Sequence, residues 1–276
     1  MRRVDSEIIT KEITDAVQTA NFSLNKDMYN RLEQAVKKEE SRLGKNVLKE
    51  LIENAKIAEK EKIPICQDTG IVVVFVEIGN EVYIEGSLEE AINYGVKIGY
   101  NEGYLRKSVV ETPFRRENTD DNTPAVIYIE DVPGDKLKLN VLIKGAGSEN
   151  MSKIRMFNPT ADKKDIQKFI IDVVKNAGAN ACPPYILGVG IGGTFEKAAY
   201  LSKKALLKKE SKDEKINQFE EEILREVNKT GIGPAGLGGK VTALDVKILT
   251  YPCHIASLPV AVNINCHASR HFSIEI

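Results

Sequence analysis

The sequence lacks tryptophan, a surplus of either charge, and any long apolar run. Its 39 basic and 40 acidic side chains leave a formal net charge of −1, so no overall field attracts nucleic acid or an anionic membrane. Residues 71–76 form the longest apolar run, which is too short to cross a bilayer, and the amino terminus has no apolar signal segment. These absences predict a cytoplasmic protein that binds neither nucleic acid nor a membrane.

Cysteine is also scarce, with four in 276 residues. So low a number argues against a disulfide scaffold and leaves core packing, catalysis or metal binding as the use of each thiol. A chain of this length that is 42% hydrophobic is able to bury a large core, as one large domain or two small ones. We predict one domain over residues 1–276, with a helical part over residues 1–60.

The spacing of apolar residues predicts the α+β class, in which amino-terminal helices precede mixed or antiparallel sheet elements with packed helices. Breaks near residues 21–25 and at Gly44 divide the first segment into two or three amphipathic helices. The β-branched run at residues 71–76 predicts a buried strand, and Ser87 is predicted to cap the helix that follows it.

Residues 125–132 and 136–144 alternate polar and apolar side chains on either side of a Pro-Gly-Asp turn, which predicts an antiparallel hairpin. The remaining periodic segments predict a helix over residues 162–177, a strand over 185–189, two helices over 195–229 with a break near Ser211, and strands over 241–249 and 260–264.

Two cysteines lie in segments whose neighbours suit a reactive or metal-binding thiol. Cys66 lies in PICQDTG, where Gln67 and Asp68 add an amide and a carboxylate and a glycine permits a tight bend. Cys182 lies in ACPPY, where two prolines remove two backbone donors and force an extended exit from the cysteine. Such a rigid corner favours a metal ligand.

The other two cysteines lie on either side of a predicted strand. Cys253 and Cys266 are 13 positions apart, and at about 3.3 Å per extended residue both thiols do not reach one small cluster. We assign Cys266 to the site, because His267, Arg270 and His271 follow it closely.

The cysteines have three competing explanations: core packing, a structural zinc site and an iron–sulfur cluster. Each cysteine alone is more readily explained as a small buried hydrophobe, but three in polar and glycine-containing loops are hard to explain as core filling. A structural zinc site is the nearest rival, since three thiolates and a histidine also coordinate zinc, although the sequence has no C-x-x-C pair. Three thiolates on a four-iron cluster leave one iron open to a substrate hydroxyl or carboxylate.

The glycine-rich segments have competing interpretations. The segment GVGIGG, which begins at Gly188, matches G-x-G-x-x-G, but no strand ending in an acidic residue follows about twenty positions later, so we reject dinucleotide binding. Residues 145–150 and 231–239 are either turns or cradles of backbone amides for carboxylate groups. Arg106 is either a solvated charge or a bidentate carboxylate clamp.

Read in order, six motifs resemble the α-type segment of class I fumarate hydratases and L-tartrate dehydratases: PICQDTG, YLRKSVV, KGAGSENMS, ACPPYILGVGIGG, GPAGLGG and CHIASLPVAVNINCHASRH. The resemblance covers nearly the whole chain. It implies an oxygen-sensitive [4Fe-4S] cluster held by Cys66, Cys182 and Cys266. The roles of Cys253 and His254 stay open, as do those of the histidines after Cys266.

The resemblance also implies a reaction and its residues. A small dicarboxylate substrate would be bound by Gln67, Asp68, Arg106, Gly145 and Gly147, with Asp68 as the acid-base group. The expected reaction is the reversible dehydration of (S)-malate to fumarate. L(+)-tartrate dehydration is the alternative within the class, and a non-catalytic, zinc-stabilised binding subunit is the alternative outside it.

Fused members of the family carry a β-type domain that has no counterpart in this sequence. The resemblance therefore implies a separate β-type subunit and an α2β2 assembly whose active site lies at the α/β junction.

Overall fold

The computed structural model describes residues 1–208 and 211–276, which contain both helices and strands. The helices are α1 (Ser6–Phe22), α2 (Lys26–Lys38), α3 (Arg42–Glu61), α4 (Leu88–Glu102), α5 (Ala146–Glu149), α6 (Lys163–Ala177), α7 (Phe195–Ala205) and α8 (Glu214–Asn228). The strands are β1 (Arg2–Asp5), β2 (Ile71–Gly79), β3 (Val82–Glu85), β4 (Val126–Val132), β5 (Leu137–Lys144), β6 (Lys153–Phe157), β7 (Tyr185–Gly192), β8 (Ala243–Tyr251), β9 (Leu258–Asn265) and β10 (Arg270–Glu275).

This mixture of helices and sheets confirms the α+β class. The chain forms two compact units. Unit 1 comprises Met1–Lys26, Asn54–Ala146 and Arg270–Ile276, and unit 2 comprises Asp27–Glu53 and Gly147–Ser269. None of the helices in the described ranges has the length and apolarity needed to cross a membrane.

Unit 1 contains a four-stranded sheet in the order β10-β5-β2-β4 and a parallel pair of short strands, β1 and β3. β2 lies parallel to β4 and antiparallel to β5. The apolar run of β2 packs with Ile13 and Val17 of α1 and with Ile92 and Val96 of α4 in one buried cluster. Ser87 caps α4 as predicted, because its hydroxyl accepts a hydrogen bond from the Glu90 N–H.

The predicted hairpin is wrong, although both of its strands exist. β4 and β5 do not pair with each other, since β2 lies between them. The Pro-Gly-Asp connection instead crosses the end of β2, where Gly79 donates to the Lys136 carbonyl and the Asn80 side chain accepts from Gly134. Alternation specifies a strand with one face buried, but it does not identify the neighbouring strand.

The amino-terminal segment forms three helices, and the break at residues 23–25 agrees with the prediction. The break at Gly44 is wrong, because Gly44 lies inside α3. The chain turns earlier, at residues 39–41, where the Glu39 carboxylate accepts hydrogen bonds from the backbone N–H groups of Glu40 and Ser41. A side chain that satisfies these amides ends one helix and allows the next to begin.

Unit 2 contains a second four-stranded sheet in the order β6-β9-β7-β8. Leu187 and Val189 of β7 face a buried cluster with α6 and α8. The glycines that alternate with them face α7, where a Cβ on Gly188 or Gly190 would lie 2.0 or 2.1 Å from a helix carbonyl oxygen. The glycine motif of β7 therefore permits close helix packing, which gives it a structural reason.

The later helices and strands agree with their predictions to within a few residues. The connection between α7 and α8 contains residues 209–210, which lie outside the described residues, and the predicted break near Ser211 falls beside them. The sequence interpretation missed four strands, β1, β3, β6 and β10. Each of them is short and lies at a sheet edge or in a two-stranded pair, where alternation is weak.

Candidate functional site

The segment that contains Cys66 lies in unit 1, in the loop between α3 and β2. The half-buried Cys66 thiol donates to Gln67 Oε1 at 3.3 Å, and Gln67 is otherwise exposed. The Thr69 hydroxyl donates to the Arg106 carbonyl oxygen at 2.5 Å. This bond joins the Cys66 segment to the loop that carries the exposed Arg106 guanidinium.

Asp68 has both carboxylate oxygens held by backbone groups. Oδ1 accepts from the Gly70 N–H at 3.0 Å, and Oδ2 accepts from the Ala146 N–H at 2.8 Å. Gly145 is buried beside this contact, and a Cβ there would lie 3.1 Å from Asp68 Oδ2. The structure therefore brings Asp68 and the glycine loop together, and the carboxylate stays half-exposed.

A buried polar group that the sequence did not reveal supports this segment. The Tyr100 hydroxyl, fully buried on α4, donates to the Thr69 carbonyl oxygen at 2.5 Å and lies 3.0 Å from that of Gly70. Burial raises the pKa of Tyr100, and the nearby Arg270 cation opposes the shift. Arg270 is itself only 1% exposed and donates to Asn21 Oδ1 at 3.1 Å.

Two of the three residues that follow Cys266 make side-chain contacts within unit 1. His267, Arg270 and His271 follow that cysteine in the sequence, but they have different partners in the structure. Arg270 bonds to Asn21, and His271 Nε2 lies 2.9 Å from the Asn25 amide nitrogen.

Cys182 and Cys266 lie in unit 2, on segments that hydrogen bonds hold together. The Cys182 carbonyl oxygen accepts from the His267 N–H at 3.4 Å and lies 3.1 Å from His267 Nδ1. Gly147 lies near the same turn, since a Cβ there would be 3.7 Å from the Asn180 carbonyl oxygen. The structure thus brings Cys182, Cys266 and Gly147 into one region of unit 2.

The sheet register separates Cys253 from this region. Cys182 precedes β7 and Cys266 directly follows β9, and Ile186 of β7 pairs with Asn265 of β9, so both cysteines lie at one end of the sheet. Cys253 follows β8 at the opposite end, where Tyr251 pairs with Gly192. A strand of this length separates the two ends by about 20–25 Å.

The donor chemistry fits an iron–sulfur cluster. Cys66, Cys182 and Cys266 form no disulfide and have exposed or half-exposed side chains, and thiolates are the usual protein ligands of such clusters. Within residues 1–208 and 211–276, no three His, Cys, Asp or Glu side chains are grouped as one bound metal ion requires. A four-iron cluster differs from a single ion, because each thiolate binds a separate iron.

Comparison with known proteins shows similarity to fumarate hydratases and L(+)-tartrate dehydratases. The fumarate hydratase (Fumerase) family model matches residues 10–275. A protein of Methanocaldococcus jannaschii, provisionally named L(+)-tartrate dehydratase subunit alpha, is 42% identical over 95% of each chain. Fumarate hydratase class I, anaerobic, of Escherichia coli is 30% identical over 99% of this chain and 53% of its own length. L(+)-tartrate dehydratase subunit alpha of Escherichia coli is 28% identical over 97% of this chain and 90% of its own. The chain belongs to the fumarate hydratase (Fumerase) family of hydro-lyases.

Proposed function

We propose that this chain is the cytoplasmic α subunit of a [4Fe-4S] hydro-lyase that reversibly dehydrates (S)-malate to fumarate. Cys66, Cys182 and Cys266 hold the cluster. One observation carries the proposal: Asp68 lies two residues after Cys66 in the same loop, and its half-exposed carboxylate is held by backbone N–H groups from two segments. A positioned carboxylate of this kind suits proton transfer.

The roles of the chain's own residues follow from their positions. When bound, the cluster supplies a Lewis-acidic iron that polarises the departing hydroxyl. Asp68 keeps free lone pairs on both oxygens beyond the two backbone bonds, so it is able to accept or return a proton. The exposed Arg106 guanidinium binds a substrate carboxylate. Gln67, Gly145 and Gly147 complete the dicarboxylate site in this proposal.

A partner subunit belongs to the proposal. Two of the relatives described above are named subunit alpha, and this chain spans about half of the Escherichia coli fumarate hydratase. We therefore propose a β-type subunit on a separate chain, an α2β2 assembly, and a β-subunit side chain that shares proton transfer with Asp68. In this account, residues 1–276 act as one α-type catalytic domain.

L(+)-tartrate dehydration is the second candidate. The names of two relatives support it, including the one that is 42% identical. Malate and tartrate differ by one hydroxyl, and the contacts that distinguish them belong in part to the partner subunit in this proposal.

Co-expression with a β-type subunit, anaerobic purification, and assays with (S)-malate and L(+)-tartrate test the proposal. Asp68→Asn should lower kcat by about 10²–10⁴-fold. Asp131→Asn is the control, because Asp131 is exposed and pairs with Ile78, at the end of β2 away from the Cys66 segment. Greater activity with tartrate would select the second candidate. A colourless, zinc-loaded and inactive protein would overturn both in favour of a binding subunit.

A further inference from the structure

Glu39 lies between α2 and α3 and is only 1% exposed, although it carries a carboxylate. We infer that Glu39 is a positioning residue that holds the Cys182 turn in the geometry needed for metal ligation, acting through the glycine-rich loop of residues 231–239. This inference rests on the proposed role of Cys182 as a cluster ligand. Every residue in it belongs to unit 2.

The Glu39 carboxylate joins two distant segments of the chain. Oε1 accepts from the backbone N–H groups of Glu40 at 2.8 Å and Ser41 at 2.9 Å. Oε2 accepts from those of Lys240 at 2.9 Å and Val241 at 2.8 Å. Since buried backbone donors need partners, this carboxylate fixes the start of α3 and the exit of the glycine-rich loop together.

The loop contains one short 3₁₀ turn at Pro234–Gly236 and is otherwise irregular and rich in glycine. Its five glycines all have positive φ, and Ala235 has φ 53°. Glycine gains many conformations on release, so such a loop needs fixed points in the folded chain. Gly239 shows how closely Glu39 approaches, because a Cβ there would lie 2.8 Å from Glu39 Oε1.

The same loop contacts the Cys182 turn at two points. The Ala235 N–H donates to the Pro183 carbonyl oxygen at 2.9 Å, directly after Cys182. Gly236 packs on Ala179, whose carbonyl oxygen accepts from the Cys182 N–H at 3.0 Å. The loop therefore supports the turn from both sides of the cysteine.

Cys182 needs this support because its backbone is left-handed, with φ 52° and ψ 68°. A residue with a Cβ keeps such a conformation only when its surroundings impose it. The Cys182 side chain is exposed, and the backbone conformation sets the direction of its Cα–Cβ bond and therefore the side from which the thiol is presented. Loss of the Glu39 carboxylate should loosen the loop first and the Cys182 turn next.

The test compares Glu39→Gln with Glu40→Gln in the full chain, after anaerobic reconstitution with ferrous iron and sulfide. In Glu39→Gln, the new side-chain amide would turn its NH₂ group toward at least one pair of backbone donors. Glu40→Gln is the matched control, because it removes only the exposed ion pair between Glu40 and the Lys240 ammonium. We expect iron loss to a chelator to be about tenfold faster in Glu39→Gln than in wild type, and unchanged in Glu40→Gln.

Hydrogen exchange on the metal-free chain supplies a readout independent of iron. Glu39→Gln should speed exchange in peptides covering residues 178–184 and 231–241, while β7 and the unit 1 sheet keep wild-type rates. Faster exchange in the loop alone, with wild-type iron retention, would reduce Glu39 to a structural anchor and overturn the inference. A wild-type chain that takes up no iron would overturn the cluster proposal as well, which separates the two failures.

If Glu39→Gln does not fold, Gly44→Ala tests the same inference by displacing the Glu39 side chain slightly. A Cβ on Gly44 would lie 3.0 Å from the Glu39 side chain and 3.3 Å from Pro234 in the loop, and alanine favours the helix around it. We expect iron loss about twofold faster than in wild type, since the carboxylate shifts by only a few tenths of an ångström. Retention equal to wild type would contradict the inference.

Discussion

Tyr100→Phe removes one hydroxyl from the interior of unit 1 and tests how the Cys66 segment is held. The hydroxyl donates to the Thr69 carbonyl oxygen and lies within hydrogen-bond distance of that of Gly70. Gly70 keeps a second donor in the variant, because the Asn122 amide bonds to its carbonyl oxygen at 3.1 Å. The cost therefore falls mainly on the Thr69 carbonyl.

The magnitude follows from these contacts. A buried acceptor that loses its partner costs about 1–3 kcal/mol, and the phenylalanine ring fills the same apolar space. We expect the free energy of unfolding to fall by about 2 kcal/mol, which corresponds to roughly 4–8 °C in Tm for a chain of this size.

The effect should depend on alkaline pH in a defined direction. Burial raises the pKa of Tyr100 above its ordinary value of about 10, so the folded chain keeps the phenol neutral when the unfolded chain ionises it. The hydroxyl's contribution is complete below that pH and is lost as the pH rises toward the folded-state pKa. The difference between wild type and Tyr100→Phe should stay constant from about pH 7 to 9 and shrink above about pH 10.

Urea unfolding followed by circular dichroism measures this difference. Tyr94→Phe is the control, because Tyr94 lies on the same helix and is 58% exposed, so its loss of a hydroxyl should change stability by less than about 0.5 kcal/mol. Equal effects of the two substitutions, or no effect of Tyr100→Phe, would refute the idea that this hydroxyl holds the Cys66 segment.

Three further predictions concern single residues. Burial alone would raise the pKa of Glu39, but backbone hydrogen bonds from Lys240, Ser41, Val241 and Glu40 together lower it. The stabilisation is therefore present above about pH 4.3 and lost as the pH falls. Glu39→Gln should lower the free energy of unfolding by about 2–4 kcal/mol at pH 7, and urea unfolding at a series of lower pH values should show this difference narrowing. A difference that stays constant as the pH falls would contradict this. Gly145→Ala should lower kcat for malate about tenfold with little change in the circular dichroism spectrum, because the new methyl group presses on Asp68 Oδ2; unchanged kcat would show that the carboxylate position is not critical. Cys253→Ser should keep the wild-type iron content after anaerobic reconstitution, since this thiol lies at the other end of its sheet, and loss of iron would contradict the ligand assignment.

The sequence predicted what local patterns determine. The Ser87 cap, the strand after the Cys66 motif and the helices of unit 2 depend on residues close together in the chain, and they formed as expected. The hairpin failed because β2 competes for both strands, and no pattern within residues 125–144 reveals a competing partner. Gly44 failed as a break because a carboxylate five positions earlier already satisfies the amides of the turn.

In the candidate site as well, the sequence reveals residues that are neighbours in the chain but not those whose partners are distant in the chain. Cys66, Gln67 and Asp68 are adjacent in the sequence, so one motif identified them together. Tyr100 looks like an ordinary apolar position of an amphipathic helix, and its role appears only when its hydroxyl meets the carbonyls after Asp68. Glu39 looks like a solvated charge in a Lys- and Glu-rich segment, because its partners lie 201 residues further along the chain.

Iron and sulfide analysis of the anaerobically reconstituted chain tests the central claim most directly. Wild type should contain about four iron and four sulfide per chain and be brown, and Cys66→Ser, Cys182→Ser and Cys266→Ser should each lose most of this content. A wild-type chain that holds zinc without sulfide, or three serine variants that retain full iron, would contradict the account.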